Sequence, residues 1–351
     1  MPRKKLSLPP LTSLTSLDVA RRAGVSRTAV SYVLNENGKR NEHVSEETRT
    51  KVLQAAQELG YSTHNSARAL RKGLSEEMCI IVDLPLTIHR TELFVSVQQH
   101  AFRYGYPSVV YFIQGFSQEQ IKDLLLKVFA RRPMGIFATA QSMTPEHVTQ
   151  AERMGVDNIV LYSVKPLEYA RTIVLPTKPI GYLAAQHLLE RGHRHLALVQ
   201  PADPFHKHGF QGRLEGMHAA LAEFPGATLD ILPLQLSLSH ARSLVDTALT
   251  AVDRPTGIYA YNDEYALLLL GALADRGIQV PQEIAVTGTD DISFSEIMRP
   301  TLTTICFDTL SLAQRAVEML VTRYKSQPLS EELSQPLMPQ LVPRESTGGL
   351  Q

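Results

Sequence analysis

The segment from Thr15 to Asn35, TSLDVARRAGVSRTAVSYVLN, constrains the fold of this chain more than any other stretch. Apolar residues recur in it at helical spacing, and Gly24 interrupts the pattern near its middle. Ser26, two residues later, is the residue type that caps a helix N-terminus. The segment therefore predicts two short helices joined by a tight turn.

The second predicted helix has an apolar face, formed by Val30, Val33 and Leu34, and an opposite face without apolar residues. That opposite face carries Arg27, Thr28, Ser31, Tyr32 and Asn35. Short hydrogen-bonding side chains beside an arginine and a tyrosine suit the major groove of DNA. Taken alone, the segment fits an ordinary helical hairpin with a solvated outer face equally well.

Charge is distributed unevenly along the 351 residues. Residues 1–73 contain 13 Lys and Arg against 6 Asp and Glu, a formal charge of +7, and the neutral total leaves −7 for the rest. A basic amino-terminal segment joined to an acidic body is typical of a nucleic-acid module fused to a domain that binds no polyanion. The length is sufficient for two or three domains.

The cysteine content and the apolar segments indicate a cytoplasmic protein. Cys79 and Cys306 are predicted to be buried, reduced thiols on strands, since two cysteines make no disulfide framework. The basic amino terminus is followed by prolines where a signal peptide needs an apolar core. The most apolar helical run, Tyr265–Ala274, is too short to span a bilayer.

The remainder of the basic segment contains a leader, a third helix and a short basic stretch. Residues 1–14 are expected to be a flexible leader, and the third helix is predicted from Ser45 to Gly60. Its buried face would carry Val52, Leu53, Ala56 and Leu59. Asn65–Lys72 is either a helix that folds on DNA, with Leu70 as a minor-groove wedge, or a plain interdomain linker.

From Met78 onward, apolar strands alternate with amphipathic helices, among them helices predicted to begin at Glu92, Ile180 and Gln211. This alternation predicts parallel sheets covered on both faces, and the number of strands favours two lobes. Ligands of such α/β folds bind at the carboxyl ends of the strands. The polar residues expected there are Arg213, Asn262, Asp263, Asp290 and Asp291.

Several of these stretches resemble the lac repressor/galactose repressor family of bacterial transcription regulators, from about Thr15 to Ser346. They include DVARRAGVSRTAVSYVLN (18–35), HVSEETRTKVLQAAQELGY (43–61), ARALRKG (67–73), AAQHLLERGHRHLALV (184–199), YNDEYALLLLGALADRGIQVPQEIAVTGTDD (261–291) and VPREST (342–347). The resemblance implies a helix-turn-helix domain at 15–61, a hinge helix or linker at 62–75 and an effector-binding, dimerising body at 76–347. This body resembles periplasmic binding proteins, with one doubly wound lobe at about 76–174 and 306–331 and the other at about 175–305 and 332–347.

The resemblance also implies roles for individual residues. Base edges would be read by Arg27, Thr28 and Tyr32. Phosphates would be bound by Thr15, Ser26, Ser31, Asn35, His43, Ser45 and Thr48, with Arg68 neutralising phosphate charge and Leu70 wedging the central base step. A sugar-like or other small polar effector would be bound by Arg213, Asn262 and Asp290.

The chain departs from the family pattern at several of these places. Tyr32 stands where arginine is usual, and DLPLTIHR (83–90) replaces a familiar run after the first strand of the body. Tyr162, Pro176–Thr177 and Leu236 occupy other positions that commonly face the effector. The cavity is therefore expected to bind something other than a standard hexose, or no small ligand at all.

Metal and enzyme chemistry have little support in the sequence. The pairs His193/His195 and His206/His208 lack accompanying cysteines or carboxylates, although the second pair could contact a ligand. Asp290 and Asp291 are adjacent at a strand end and should point apart, and no nucleophile motif accompanies them. We expect no catalytic residue, no metal and no cofactor.

The sequence thus predicts a cytoplasmic transcriptional repressor. It would bind double-stranded operator DNA of near-palindromic sequence as a homodimer and respond to a small-molecule effector. Two alternatives remain at this point: a solute-binding protein without a DNA role, and a DNA-binding regulator that responds to a protein partner.

Overall fold

The structure is a computed structural model that describes residues 14–34, 44–61, 75–83, 85, 87–250, 252–325 and 337–348. The chain divides into two compact units, Met1–Ser75 and Glu76–Gln351. The predicted leader up to residue 13 and the predicted hinge helix lie outside the described residues. So do four of the predicted DNA contacts, Asn35, His43, Arg68 and Leu70.

The described part of the first unit contains three helices, α1 (Ser16–Ala23), α2 (Arg27–Leu34) and α3 (Glu46–Leu59). Helices α1 and α3 both end at a glycine in the left-handed conformation, Gly24 (φ 67°) and Gly60 (φ 63°), which stops each helix. The three helices share a core of Val19, Ala20, Val30, Val33, Val52, Ala55 and Ala56. The predicted helix pair and third helix are confirmed.

The prediction that Leu53 faces this core is wrong, because its side chain is 46% exposed. One residue advances an α-helix by about 100°, so the residue after Val52 turns away from the face that Val52 occupies. Ala55, three residues after Val52, returns to that face and is buried.

The second unit begins with a sheet of five parallel strands in the order β2–β1–β3–β4–β5. The strands are β1 (Met78–Val82), β2 (Ser108–Phe112), β3 (Gly135–Thr139), β4 (Ile159–Ser163) and β5 (Arg171–Val174). The connecting helices are α4 (Ile88–Arg103), α5 (Gln118–Ala130) and α6 (Pro145–Arg153). Met78 pairs with Ser108 on one side and Gly135 on the other, and β1 and β3 are buried throughout.

A second sheet has four parallel strands in the order β7–β6–β8–β9. These are β6 (His195–Pro201), β7 (Thr228–Leu234), β8 (Gly257–Tyr259) and β9 (Ala285–Thr287). The accompanying helices are α7 (Thr177–Glu190), α8 (Lys207–Leu221), α9 (Leu238–Leu244), α10 (Asp263–Asp275) and the short α11 (Phe294–Ile297). The predicted parallel sheets are confirmed.

The last elements connect the two sheets. Strand β10 (Thr304–Cys306) pairs antiparallel with β11 (Gln340–Val342), and α12 (Thr309–Tyr324) lies between them in the chain. Helix α12 packs in the core of the first sheet, whereas Ser346 Oγ, beyond β11, donates to the Val286 carbonyl of the second sheet (2.6 Å). We call the first sheet with α4–α6 and α12 the first lobe, and the second sheet with α7–α11 the second lobe.

Three details differ from the sequence-based expectations. Helices α4, α7 and α8 begin three or four residues earlier than predicted, and neither β5 nor β11 was expected. Thr87 explains one early start, because its hydroxyl caps α4 by accepting from the Arg90 amide (3.3 Å). Cys79 is fully buried, as predicted, but Cys306 is only half-buried, since it lies on a short strand pair at the margin of a sheet.

Candidate nucleic-acid interface and effector cavity

Helix α2 is fixed in the first unit by its cap and by its apolar face. The Ser26 hydroxyl accepts from the Ala29 amide (3.1 Å), and Val30 and Val33 are 0% and 5% exposed in the core. The outward side chains Arg27, Thr28 and Ser31 are exposed. The core therefore holds the predicted base-reading face of α2 toward solvent.

Arg27, a predicted base-reading side chain, is tied to a neighbouring helix. Its Nε donates to the Ser16 hydroxyl at the start of α1 (3.0 Å). Its two Nη groups make no hydrogen bond to any residue that the structure describes. A guanidinium held through Nε presents its remaining N–H groups in a fixed plane, which is the geometry for a bidentate contact with guanine. Tyr32, further along α2, is half-buried.

Among the predicted phosphate contacts that are described, Ser31 lies in the middle of α2, and the others lie at helix starts. The Ser45 and Thr48 hydroxyls are 2.9 Å apart at the N-terminus of α3, where the helix dipole favours an anion but Glu46 and Glu47 lie in the same first turn. Thr15, at the start of α1, already has an acceptor within the protein. Its hydroxyl (2.7 Å) and its amide (2.9 Å) both donate to the Asp18 carboxylate. These hydrogen bonds lower the pKa of Asp18, so a phosphate contact by Thr15 would have to displace a carboxylate.

The second unit has a cavity between its two lobes. The first lobe lines it with Thr87, His89, Arg90, Gln141, Tyr162, Ser163 and Val164. Leu175, in the connection between the lobes, and the second lobe add the remaining lining residues, Phe205, His206, His208, Gly209, Arg213, Tyr261, Asn262 and Asp290. The three predicted effector contacts, Arg213, Asn262 and Asp290, are therefore brought to one cavity.

Arg213 lies on the inner face of α8 and not at a strand end, which corrects the expectation. It is only 4% exposed, its Nε donates to the Tyr259 hydroxyl (2.8 Å), and its guanidinium carbon lies 4.1 Å from the centre of the Tyr261 ring. Burial acts to lower the pKa of Arg213, but Tyr259, Tyr261 and Asp290 outweigh it and raise the pKa. The guanidinium is therefore charged and rigidly placed.

A close helix contact sets the position of Arg213. Helix α7 approaches α8 at Gly181, where a Cβ atom would lie 1.9 Å from the Arg213 carbonyl oxygen. A second close approach occurs where a Cβ on Gly212 would lie 2.0 Å from the Thr177 hydroxyl. Small residues at these positions allow the backbone of Arg213 to pack directly against α7.

Asn262 and Asp290 are fixed by the turns that follow β8 and β9. Asn262 caps α10, its side-chain oxygen accepting from the Tyr265 amide (3.1 Å), which leaves its Nδ2 group available to a ligand. Asp290 has φ 112° and Asp291 φ 51°, conformations that non-glycine residues seldom adopt and that cluster at functional sites. Asp291 turns to Arg344 (2.7 Å) while Asp290 lines the cavity, so the prediction that the two point apart is confirmed.

Asp263, which was only noted as a strand-end residue, organises the loop beside Asp290. Its carboxylate accepts from the Thr304 hydroxyl (2.6 Å), the Ser295 hydroxyl (2.8 Å) and the Ile292 amide (3.1 Å). Burial, with the charge of Asp290, raises the pKa of Asp263 to about 7. The side chain is 0% exposed and thus supports the cavity wall without lining it.

The histidine pairs separate in the structure. His206 and His208 line the cavity, and His206 Nδ1 lies 3.1 Å from the Tyr261 hydroxyl. His195 pairs with Asp230 (2.8 Å) and His193 contacts Thr256 (3.0 Å). No group of three or more His, Cys, Asp or Glu side chains suited to a metal occurs within the described ranges.

In the wall contributed by the first lobe, Tyr162 and part of the run 83–90 line the cavity, as the family resemblance implied, but the contacts of this wall with the second lobe were not anticipated. Arg90 lies over the Phe205 ring, 5.0 Å from its centre, and the Ile88 amide donates to Glu264 of the second lobe (3.1 Å). Tyr162 also lines the cavity, and burial raises its pKa to about 12. Leu236, expected to face the effector, is 53% exposed and does not line the cavity.

Two family models match this chain. The model of bacterial regulatory proteins of the lacI family matches residues 15–64, and that of the periplasmic binding protein-like domain matches residues 185–347. No helix among the described residues is long and apolar enough to cross a membrane.

Relatives are similar over nearly their whole length. The chain is 27% identical over 339 residues to the HTH-type transcriptional repressor PurR of Vibrio cholerae, covering 96% of this chain and 98% of that protein. It is 29% identical over 341 residues to the PurR repressor of Haemophilus influenzae, covering 95% and 98%.

Solved structures agree with these sequence matches. The lac repressor dimer bound to operator and the anti-inducer ONPF superposes with a TM-score of 0.79 at 25% identity, covering 95% of this chain and 99% of that one. Helix-turn-helix segment, two-lobed body and full-length similarity agree: the chain belongs to the lac repressor/galactose repressor family of bacterial transcription regulators.

Proposed function

We propose that this protein is a transcriptional repressor that binds a near-palindromic operator as a homodimer and changes its operator affinity when a small polar effector occupies the interlobe cavity. The observation that carries the proposal is the exposed polar face of α2, held outward by a three-helix core inside the segment that matches the lacI family model. The PurR repressors and the operator-bound lac repressor are its relatives over almost the entire chain.

The proposed DNA contacts keep the division between reading and positioning. Bases are read by Arg27, Thr28 and Tyr32. Phosphates are bound by Thr15, Ser26, Ser31, Asn35, His43, Ser45 and Thr48, with Arg68 adding charge and Leu70 entering the minor groove. Contacts to phosphate fix the register of the protein, whereas contacts to base edges supply specificity.

The effector is proposed to act by favouring one arrangement of the two lobes. Arg213, Asn262 and Asp290 belong to the second lobe, and the opposite wall belongs to the first lobe, so a ligand that contacts both walls stabilises a closed arrangement. Such a differential contact is what couples an effector site to a distant DNA site.

The proposal includes the limits of the domains and the cellular compartment of the protein. A helix-turn-helix domain at 15–61, a hinge at 62–75 and an effector-binding body at 76–347 would work together in the cytoplasm, where operator DNA is found. The protein would act by binding and not by catalysis.

Selection of DNA from a random pool tests the proposal directly. The full-length protein is incubated with random duplexes, and bound DNA is recovered and sequenced over several rounds. The proposal predicts enrichment of one motif with two related half-sites, as a two-fold symmetric dimer requires. Recovery of sequences that match the starting pool would overturn it.

A further inference from the structure

The interlobe cavity contains two guanidinium groups, one from each lobe. Arg90 reaches it from α4 and Arg213 from α8, and Asp290 is the one carboxylate among the described residues that line it. Neither Arg90 nor Arg213 forms an ion pair with a described residue. In this they differ from Arg344, which pairs with Asp291. The lining is therefore net positive.

Both guanidiniums retain hydrogen-bond donors for which the described residues offer no acceptor. Arg213 donates through Nε to Tyr259, and its Nη groups make no hydrogen bond within the described part of the chain. Arg90 uses Nη1 for the Pro85 carbonyl (3.1 Å) and packs its face against Phe205. Guanidinium edges with unused N–H groups bind carboxylate and phosphate oxygens in preference to neutral hydroxyls.

Helix dipoles add to this positive character. Helices α4 and α8 both begin at the cavity without an acidic residue in the first turn, although at α4 the Ile88 amide donates to Glu264, so the larger share of partial positive charge comes from α8. Helix α10 also begins there, but Asp263 and Glu264 lie in its first turn.

The groups around the cavity respond to this field. Burial, followed by the charges of Arg90 and Arg213, lowers the pKa of His206 to about 4, so this histidine is neutral near pH 7. Glu264 accepts from the Ile88 amide, and burial raises the pKa of its carboxyl group. Glu264 is not among the residues that line the cavity, although the charge of Arg90 acts to lower its pKa.

We propose that the ligand of this cavity carries a carboxylate or a phosphate monoester, which Arg90 and Arg213 bind jointly, while Asn262 and Asp290 bind its hydroxyl or amino groups. Arg90 is thus the residue that makes this cavity selective for an anion. The inference rests on the proposed function, because it identifies the chemical class of the effector.

Inorganic phosphate serves as the minimal probe. Thermal unfolding of the full-length protein is followed as phosphate is titrated at constant ionic strength, with sodium chloride as the balancing salt. The wild-type protein should show a saturable rise in Tm. Arg90→Gln should weaken the apparent phosphate affinity by about tenfold or more, and Arg90→Lys, which keeps the charge but not the planar donor pair, should lie between the two.

Arg103→Gln is the matched control, since Arg103 is an exposed arginine at the other end of the same helix and does not line the cavity. It should respond to phosphate as the wild type does. A second arm compares glucose with glucose 6-phosphate, of which only the ester should raise Tm.

Three results would each overturn the inference: no saturable response in the wild type, equal responses in wild type and Arg90→Gln, or equal stabilisation by glucose and its phosphate ester. The operator selection above is independent of all three. A protein that selects an operator but gives one of these results keeps its function and loses the anionic effector.

Discussion

Replacing Arg27 with alanine should relax base preference at one or two positions in each operator half-site. Arg27 is exposed on α2, its Nε is held by the Ser16 hydroxyl, and its two Nη groups face no described acceptor. The side chain thus reaches DNA already oriented, with two parallel N–H groups available to one base.

The size of the effect follows from this arrangement. One bidentate contact discriminates against the wrong base by about 1–3 kcal/mol, which corresponds to about 5-fold to 150-fold in affinity. Arg27→Ala should therefore bring the affinities for all four bases at that position close together. Ser16→Ala, which removes only the anchor of Nε, should reduce the preference at the same position by a smaller factor.

Fluorescence anisotropy with the selected operator and its single-base variants measures these preferences at one fixed salt concentration. Arg21→Ala is the control, because Arg21 is an arginine of the same unit on α1, with a side chain that is 73% exposed. Any loss it causes should be equal for all sequences. If Arg27→Ala also weakened every sequence by the same factor, Arg27 would be a phosphate contact and the base-reading role would be refuted.

Three further predictions concern salt, packing and pH. The logarithm of operator affinity should fall linearly with the logarithm of salt concentration, by about 0.9 per neutralised phosphate, and a flat response would exclude groove binding. Gly181→Ala places a methyl group against the Arg213 carbonyl and should destabilise the second unit by about 1–3 kcal/mol, seen as a lower Tm; an unchanged Tm would contradict the close contact. Because burial raises the pKa of Asp263 from 3.8 to about 7, its folded form keeps a proton that the unfolded chain releases, and its contribution to stability is lost as pH rises between these values. Asp263→Asn removes this loss. Urea unfolding should therefore show that the free energy of unfolding of the variant, relative to wild type, rises between pH 4 and 7 by up to about 4 kcal/mol. If this difference between variant and wild type did not change with pH, the raised pKa of Asp263 would be refuted. The comparison with wild type is required because His187 and His206, with pKa values lowered to about 4, give the opposite slope.

Local sequence signals were sufficient for the helices of the first unit and for the two parallel sheets. Gly24 and Ser26 mark the turn between α1 and α2 through backbone conformation and capping, which depend on neighbours in the chain. Strands β5 and β11 were not predicted, because each is short and shows no strand period of its own, whereas the equally short β8 and β9 lie in the recognisable runs GIYAY (257–261) and EIAVTG (283–288). Leu53 was wrongly predicted to be buried because it stands next to Val52 in the chain, and the sequence of two adjacent apolar residues does not show which one faces the core.

Only part of the lining of the candidate cavity could be predicted from the sequence. Arg213, Asn262 and Asp290 were found through the family resemblance, and the structure places them around one space. On the opposite wall, Tyr162 was expected, but the pairing of Arg90 with Phe205 was not, because these two residues come together across the two lobes from distant parts of the chain. Such a pairing carries no local signal, and the departure at residues 83–90 indicated only that the wall had changed.

The specificity ratio of the full-length protein tests the central claim most directly. It is obtained by measuring Kd for the selected operator and for random duplex of equal length in the same buffer. A helix-turn-helix repressor should bind the operator at least about 10³-fold more tightly. A ratio near one, with or without phosphate esters and carboxylates, would contradict the claim that the exposed face of α2 reads DNA sequence.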